Sequence, residues 1–377
     1  MTDLIALGQP TVGEAELAAV AEVMASGWLS GAGPTCARFE QRFAAATGAA
    51  HALSTSNCGA SLHLAMLTLG VRPGDEVIVA DYTFPATGHA VRYAGATPVF
   101  ADIRPDIWTV DPAVVRALVT PRTVGIIAVD VVGQCADYDE LREIATGSGL
   151  FLVEDAACSA GATYRGRPAG SLADVATFSF HGRKGITAGE GGAFVTGRDD
   201  LAAHARKLHT YGIEGALTRA ASRELPIPTF DELGYNYRMS DIAAGILLAQ
   251  LDRLPSLLAA RRHVAARYAE LLKDVELVTV PAELPDREHT WQSYILTLDP
   301  AVDRGEVAVR LRERGVGCNF GTYASHVQPL YAAPHTCPVS ADLFGRHLAI
   351  PMHANLTDDQ VETVATAVRD VVTAVAR

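Results

Sequence analysis

Lysine is almost absent from this chain. Of its 31 basic residues only Lys184, Lys207 and Lys273 are lysines; the rest are arginine. A lysine kept in such a background points to amine chemistry, because a guanidinium stays protonated and cannot attack a carbonyl. Positive charge is also sparse overall: the formal net charge is -12 and no basic stripe interrupts it. Binding to a phosphate backbone needs clustered Lys and Arg, so no nucleic-acid partner is expected. No apolar run reaches the roughly 18 residues a bilayer span requires, so no membrane partner is expected either. The opening MTDLIALGQP lacks a basic segment followed by an apolar one and does not read as a signal peptide. The six cysteines, at 36, 58, 135, 158, 318 and 337, show no CxxC spacing. They read as reduced thiols of a cytoplasmic protein, not as a disulfide framework or a zinc site, and no metal is expected. No GxGxxG follows the first strand pattern, which removes a Rossmann dehydrogenase. Internal repeats and low-complexity segments are missing.

What is present is a globular composition, 49% hydrophobic and 20% charged, in a 377-residue chain long enough for two domains. From residue 50 to about 200, short apolar runs alternate with helical stretches. SNCGASLHLAMLTLG (56–70) reads as a helix opened by Ser and Asn. DEVIVAD, TPVFADI, VGIIAVDVV and FLVEDA read as strands, separated by helices near 85–95, in DPAVVRALV and in DYDELREIAT. Fully apolar strands alternating with helices imply a mostly parallel sheet covered on both faces. ADVATFSF and GGAFVTG close this half. Two helical patterns follow, 239–253 and 254–273, and then a smaller α+β unit with the strand WQSYILTL, the helix GEVAVRLRERG and a last helix at 358–376. The expected division is a large domain, 1–250, and a small C-terminal α+β domain, 251–377.

Asp155 ends the apolar strand FLVEDA, and the next strand, ADVATFSF, leads into His181-Gly-Arg-Lys184. Ligands of open parallel sheets bind outside the carboxyl ends of the strands. A carboxylate and a lysine at neighbouring strand ends suit pyridoxal 5'-phosphate (PLP): the lysine forms an imine with the cofactor aldehyde, and the acid keeps the pyridine nitrogen protonated. Taken singly, Asp155 reads equally as a cap or loop acid and Lys184 as a surface charge. The pair together, with the glycine-rich Gly189-Glu-Gly-Gly192 that lets backbone approach a ligand, favours the cofactor. Lys207 and Lys273 lie in amphipathic helical patterns and read as surface charges. Cys58-Gly59-Ala60-Ser61 opens the first strong helix, where free N–H groups and the dipole favour phosphate. Ser179 adds a hydroxyl five residues before the lysine. Phe84, in DYTFPAT, is either a ring-stacking aromatic or core.

SGWLSGAGPTCARFEQRFA, GVRPGDEVIVADYTFPATGHAV, FLVEDAACSAGATYRGRPAGSLADVATFSFHGRKGITAGEGGAFVTG and LGYNYRMSDIAAGIL together resemble the DegT/StrS group of sugar aminotransferases, PLP enzymes of fold type I. The resemblance implies an α/β fold with a large PLP-binding domain. It makes Lys184 the Schiff-base lysine and Asp155 the pyridine-nitrogen partner, with Phe84 stacking on the ring. Ser179 and the backbone of Cys58, Gly59 and Ala60 would meet the phosphate. Asn236 would reach the phosphate of a neighbouring subunit, which implies a homodimer; the loop 213–233 before it is long enough to cross. Arg238, Tyr323 and His326 would line the substrate pocket. The amino donor implied is L-glutamate and the acceptor a nucleotide-linked keto-deoxysugar.

Three departures stand out. Cys58-Gly59 replaces the usual Gly-Thr, so Ser61 or backbone N–H groups must serve the phosphate. Cys158 stands where the family often has Gln, near the cofactor's phenolic oxygen. ASHVQP partly replaces PLHxQP, which alters the sugar pocket. A keto-cyclitol acceptor therefore stays open. A PLP-dependent sugar dehydratase, whose relatives carry His for the lysine, and a non-catalytic regulatory relative are disfavoured by the presence of Lys184 and Asp155.

Overall fold

The computed structural model describes residues 4–213, 229–331 and 336–376. The first half runs α1 (Glu14–Ser26), α2 (Pro34–Thr47), β1 (His51–Thr55), α3 (Cys58–Thr68), β2 (Glu76–Ala80), β3 (Tyr82–Thr83), α4 (Ala86–Tyr93), β4 (Thr97–Ala101), α5 (Pro112–Leu118), β5 (Thr123–Val129), α6 (Tyr138–Ser148), β6 (Phe151–Asp155), β7 (Thr163–Tyr164), β8 (Arg167–Pro168), β9 (Val175–Ser179), β10 (Gly192–Thr196) and α7 (Asp199–Leu208). The second half continues with α8 (Asp241–Leu272), β11 (Val278–Thr279), β12 (Arg287–Glu288), β13 (Tyr294–Leu298), α9 (Arg304–Glu313), β14 (Tyr323–Ala324), α10 (Pro338–Arg346), β15 (His347–Ile350) and α11 (Asp358–Val375).

Seven strands form one sheet in the order β1-β10-β9-β6-β5-β2-β4. Five of them, β9, β6, β5, β2 and β4, are parallel neighbours, while β10 runs antiparallel to β1 and β9. Every residue of β2, β9 and β10 is buried. Helices cover both faces of such a sheet, so the period-two alternation of a half-solvated strand is erased. The parallel register sets Val129 beside Asp155 and Asp155 beside Thr177 at the carboxyl edge. A second, antiparallel sheet, β11-β13-β15, packs with α9, α11 and the far half of α8 around its own core, from Val264 to Val372.

The two helical patterns 239–253 and 254–273 are a single helix, α8, which runs through Pro255. A proline inside a helix removes one hydrogen bond and costs about 3 kcal/mol. Continuous burial of Leu247, Leu248, Leu251, Leu257, Leu258 and Val264 against α1, α2 and α11 offsets that cost. By length and composition, α8 is also the one helix among the described residues that passes as a membrane span, with a mean hydropathy of 1.4 over 18 residues. The composition came from a core helix whose apolar face is shared by both cores.

Candidate active site

The site grows from the end of β6. Asp155 is 4% exposed. Its Oδ2 accepts the Thr87 hydroxyl at 2.7 Å, and its Oδ1 accepts the Ala157 N–H at 3.2 Å. The Thr87 hydroxyl lies 2.9 Å from that of Thr83, so a short relay of buried hydroxyls runs from β3 to the acid. Burial pushes the Asp155 carboxyl up, and the Thr87 and Ala157 hydrogen bonds with the Lys184 charge only partly offset this.

Lys184 sits in the connection between β9 and β10. That connection is tied into a compact loop by Phe180 N–H to Gly191 O, Gly182 N–H to Gly189 O and Lys184 N–H to His181 O. The loop returns Nζ toward the sheet edge, where it lies 3.1 Å from Cys158 Sγ. Burial disfavours the Lys184 ammonium, but the thiols Cys158 and Cys58 and the Asp155 carboxylate outweigh it, and its affinity for a proton rises. Cys58 belongs to the same cluster: its Sγ lies 3.8 Å from Thr177 Oγ1, and burial and Asp155 push its thiol up while Lys184 pulls it down. Asp155, Lys184, Cys158 and Cys58 therefore converge at one edge, as the strand-end argument required.

The glycine-rich segment also shapes the loop that carries the lysine. Gly189 takes φ 83°, a left-handed turn. At Gly192 a Cβ would stand 2.5 Å from the backbone carbon of Asn57. Gly189 turns the loop, and Gly192 lets β10 lie against the backbone at the start of α3. Ser61 is also reassigned. It is fully buried and pairs with Thr55 Oγ1 at 2.6 Å, so it cannot replace the missing threonine at the phosphate end. The Ala60 N–H is taken by the Asn57 side chain, which caps α3 at 2.9 Å. The N–H groups of Cys58 and Gly59 have no acceptor within the helix, as the first turn of any helix dictates.

Ser179 ends β9 with its Oγ accepting the His181 N–H at 3.4 Å. Phe84 is 64% exposed, its ring edge-on to Tyr323 at 6.0 Å; it is not core. Tyr323 lies on β14, paired with Thr83 on β3. His326, in contrast, is buried and bound to Asp81, with Nδ1 to Oδ2 at 2.7 Å. Asn236 is exposed and bridges Thr210, while Tyr237 O accepts the Ser56 N–H at 2.7 Å, so this segment runs beside the cap of α3. Arg238 holds its guanidinium over the Tyr211 ring at 5.3 Å and has no ion pair among the described residues. Residues 214–228 of the preceding loop lie outside the described residues. One group of three potential metal ligands occurs among the described residues, Asp81, His326 and Cys337, all buried within 4.8 Å. The Asp81 oxygens are already engaged by His326 and Ser340. Thr87, Thr83 and Asp81 were not read from the sequence. Asp81 directly follows the carboxyl end of β2 and was open to the same argument; Thr87 meets its partner 68 residues away, and nothing local marks it.

These residues fit PLP. An uncovered aromatic face, a helix start with two free N–H groups, and a buried acid opposite a lysine answer to ring, phosphate, pyridine nitrogen and aldehyde. With its mostly parallel sheet and smaller C-terminal α+β unit, the molecule is a fold type I PLP-dependent transferase. The chain belongs to the DegT/DnrJ/EryC1/StrS aminotransferase family, which it matches over residues 10–369. It is 38% identical over 378 residues to a GDP-perosamine synthase of Caulobacter vibrioides, covering 98% of this chain and 100% of that protein. Its structure is similar to the aminotransferase TlmJ of Streptoalloteichus hindustanus, with a TM-score of 0.93, 35% identity and 99% and 100% of the two chains covered. It is similar also to DesI, solved in the presence of its TDP-sugar product, with a TM-score of 0.89, 36% identity and 99% and 94% covered.

Proposed function

We propose that this chain transfers an amino group from L-glutamate to the keto group of a nucleotide-linked deoxysugar in the cytoplasm, with Lys184 and Asp155 as its catalytic residues. The observation that carries the assignment is the convergence of the Lys184 amine and the Thr87-bound Asp155 carboxylate at the carboxyl edge of one parallel sheet. The nucleotide-sugar acceptor follows from relatives that make GDP-perosamine or were solved with a TDP-sugar product.

Bound PLP supplies an aldehyde for amine exchange and a ring that takes up electrons. Lys184 Nζ holds that aldehyde and, when free, moves the proton at the Cα of the amino donor. Asp155 keeps the pyridine nitrogen protonated, and the Thr87 hydroxyl orients its carboxylate. The Cys58 and Gly59 N–H groups at the positive end of α3 attract the phosphate, with Ala60 behind them and the Ser179 hydroxyl beside it. Phe84 would stack on the ring, and Cys158, next to Lys184, would face the cofactor's phenolic oxygen. Asn236 completes the phosphate site of a second subunit, in a homodimer. Exposure of Leu17, Met24 and Trp28 on and after α1 supports such a pairing surface. Arg238, Tyr323 and His326 line the acceptor pocket. The large and small domains divide near residue 250; the separate core beginning at Val264 supports this.

The test loads the protein with the aminated cofactor and follows its absorption spectrum while a panel of GDP- and TDP-linked keto-deoxysugars and keto-cyclitols is added. Return of the PLP spectrum with a nucleotide-linked sugar is expected. Return with cyclitols only overturns the acceptor assignment.

A further inference from the structure

Asp81 has no part in the reading above. It follows β2 at the carboxyl edge of the sheet and is 0% exposed. Its Oδ1 accepts the His326 backbone N–H at 2.6 Å. Its Oδ2 meets His326 Nδ1 at 2.7 Å and accepts the Ser340 hydroxyl at 2.5 Å. Its backbone carbonyl accepts the Ser325 N–H at 3.0 Å. A carboxylate surrounded by donors is itself acceptor only, so the ring proton of His326 belongs on Nδ1 and the lone pair on Nε2. In His63, His347 and His353 the ring nitrogen without a partner is sealed from solvent. His326 Nε2 also lacks a protein partner among the described residues, yet it is not sealed. It lies three residues beyond Tyr323, whose ring meets the exposed Phe84.

We propose that Asp81 is a positioning residue that fixes His326 as its Nδ1–H tautomer and so presents Nε2 as the acceptor for a hydroxyl of the keto-sugar. The proposal rests on the reading that His326 lines the acceptor pocket. A competing role is a staple: the same contacts fasten β14 and α10 to the sheet edge whatever the ring proton does. Asp81→Asn separates the two. The amide oxygen can still accept the His326 backbone N–H, but the amide NH2 then faces Nδ1 and needs an acceptor there. The ring proton moves to Nε2, which turns the pocket's acceptor into a donor.

Two readouts test this. In holoenzyme labelled with 15N-histidine, the His326 ring signal, identified by its loss in His326→Gln, should show the proton on Nδ1 in the native chain and on Nε2 in Asp81→Asn. Kinetics use the keto-sugar of the panel above with the highest turnover. Asp81→Asn should raise its KM about 10-fold while the glutamate half-reaction changes less than about twofold, and should add nothing in a His326→Gln background. Ser340→Ala removes a bond to the same carboxylate without moving the ring proton, and should leave KM as it is. A native His326 protonated on Nε2 overturns the proposal, and that result needs no variant to fold. A KM unchanged in Asp81→Asn but raised in His326→Gln overturns it too. A KM unchanged in His326→Gln overturns the pocket reading beneath it.

Discussion

The Thr87 hydroxyl donates to Asp155 Oδ2 at 2.7 Å, in a setting where both residues are almost fully buried. It is the largest influence opposing the burial that favours protonation of this acid. Thr87→Val keeps the shape and removes the donor. A hydrogen bond to a charged group is worth about 1.5–3 kcal/mol, so turnover should fall at least about 10-fold while Thr87→Ser stays close to the native chain. Asp155→Asn should keep the fold and the yellow colour but lose more than about 100-fold in turnover, because a neutral amide does not hold the pyridine proton electrostatically. Steady-state rates of the three variants check this; near-native activity in Asp155→Asn would mean that another acid faces the ring nitrogen.

Borohydride reduction of the yellow protein should fix the cofactor on Lys184, as mapped by mass spectrometry of its peptides. Lys207 is held by Asp231 at 2.8 Å and Glu232 at 3.5 Å, and Lys273 is exposed at the end of α8, away from the cluster of acid and thiols. An adduct on either one would refute the assignment of the amine.

Shared sites predict complementation. Lys184→Ala and Asn236→Ala chains are mixed under conditions where subunits exchange. One site of each mixed dimer then carries both lesions and the other carries neither. Activity should rise above that of an impaired Asn236→Ala parent, toward half the native value per mixed dimer. If mixed dimers form and activity does not rise, each site is built from one chain.

Asp130 and Glu154 form a buried acidic pair behind the site. Asp130 accepts Tyr138 OH and Ser159 Oγ, each at 2.8 Å, and burial still pushes its carboxyl up to about 6 from 3.8; burial and the Asp130 charge also push Glu154 up. The folded chain thus binds a proton more tightly than the unfolded one. Stability from this source is complete below about pH 3.8 and is lost as pH rises through about 6. Asp130→Asn should remove much of that loss. Melting curves from pH 4.5 to 7.5 check it: the native curve should fall relative to the variant's across this interval. Parallel curves would show that the pair ionises freely.

The acid and the lysine were legible because strand ends are legible. Apolar runs locate FLVEDA and ADVATFSF, and a parallel sheet puts their carboxyl ends together. The glycines were legible as special positions, but their protein neighbours were not. Gly192 answers to Asn57, a contact across 135 residues that no local pattern announces. Ser61 looked available because it opens a helix; its partner Thr55 lies on the preceding strand and faces inward. The patterns 239–253 and 254–273 read as two helices, and burial against α1, α2 and α11 carries one helix through Pro255 where they meet. His326 read as a pocket residue from its neighbours in sequence, while the carboxylate that holds it comes 245 residues earlier.

Helix α8 behaves as a beam. Its 32 residues span roughly 48 Å, at about 1.5 Å each, from Asp241 to Leu272. One end adjoins the Asn236–Arg238 segment, and the other is built into the core that begins at Val264. At Pro255 the ladder of backbone bonds lacks a rung, so the beam is most compliant in that turn. That turn stands between the half of α8 anchored in the C-terminal core and the end tied to the sheet through Ser56 and Thr55.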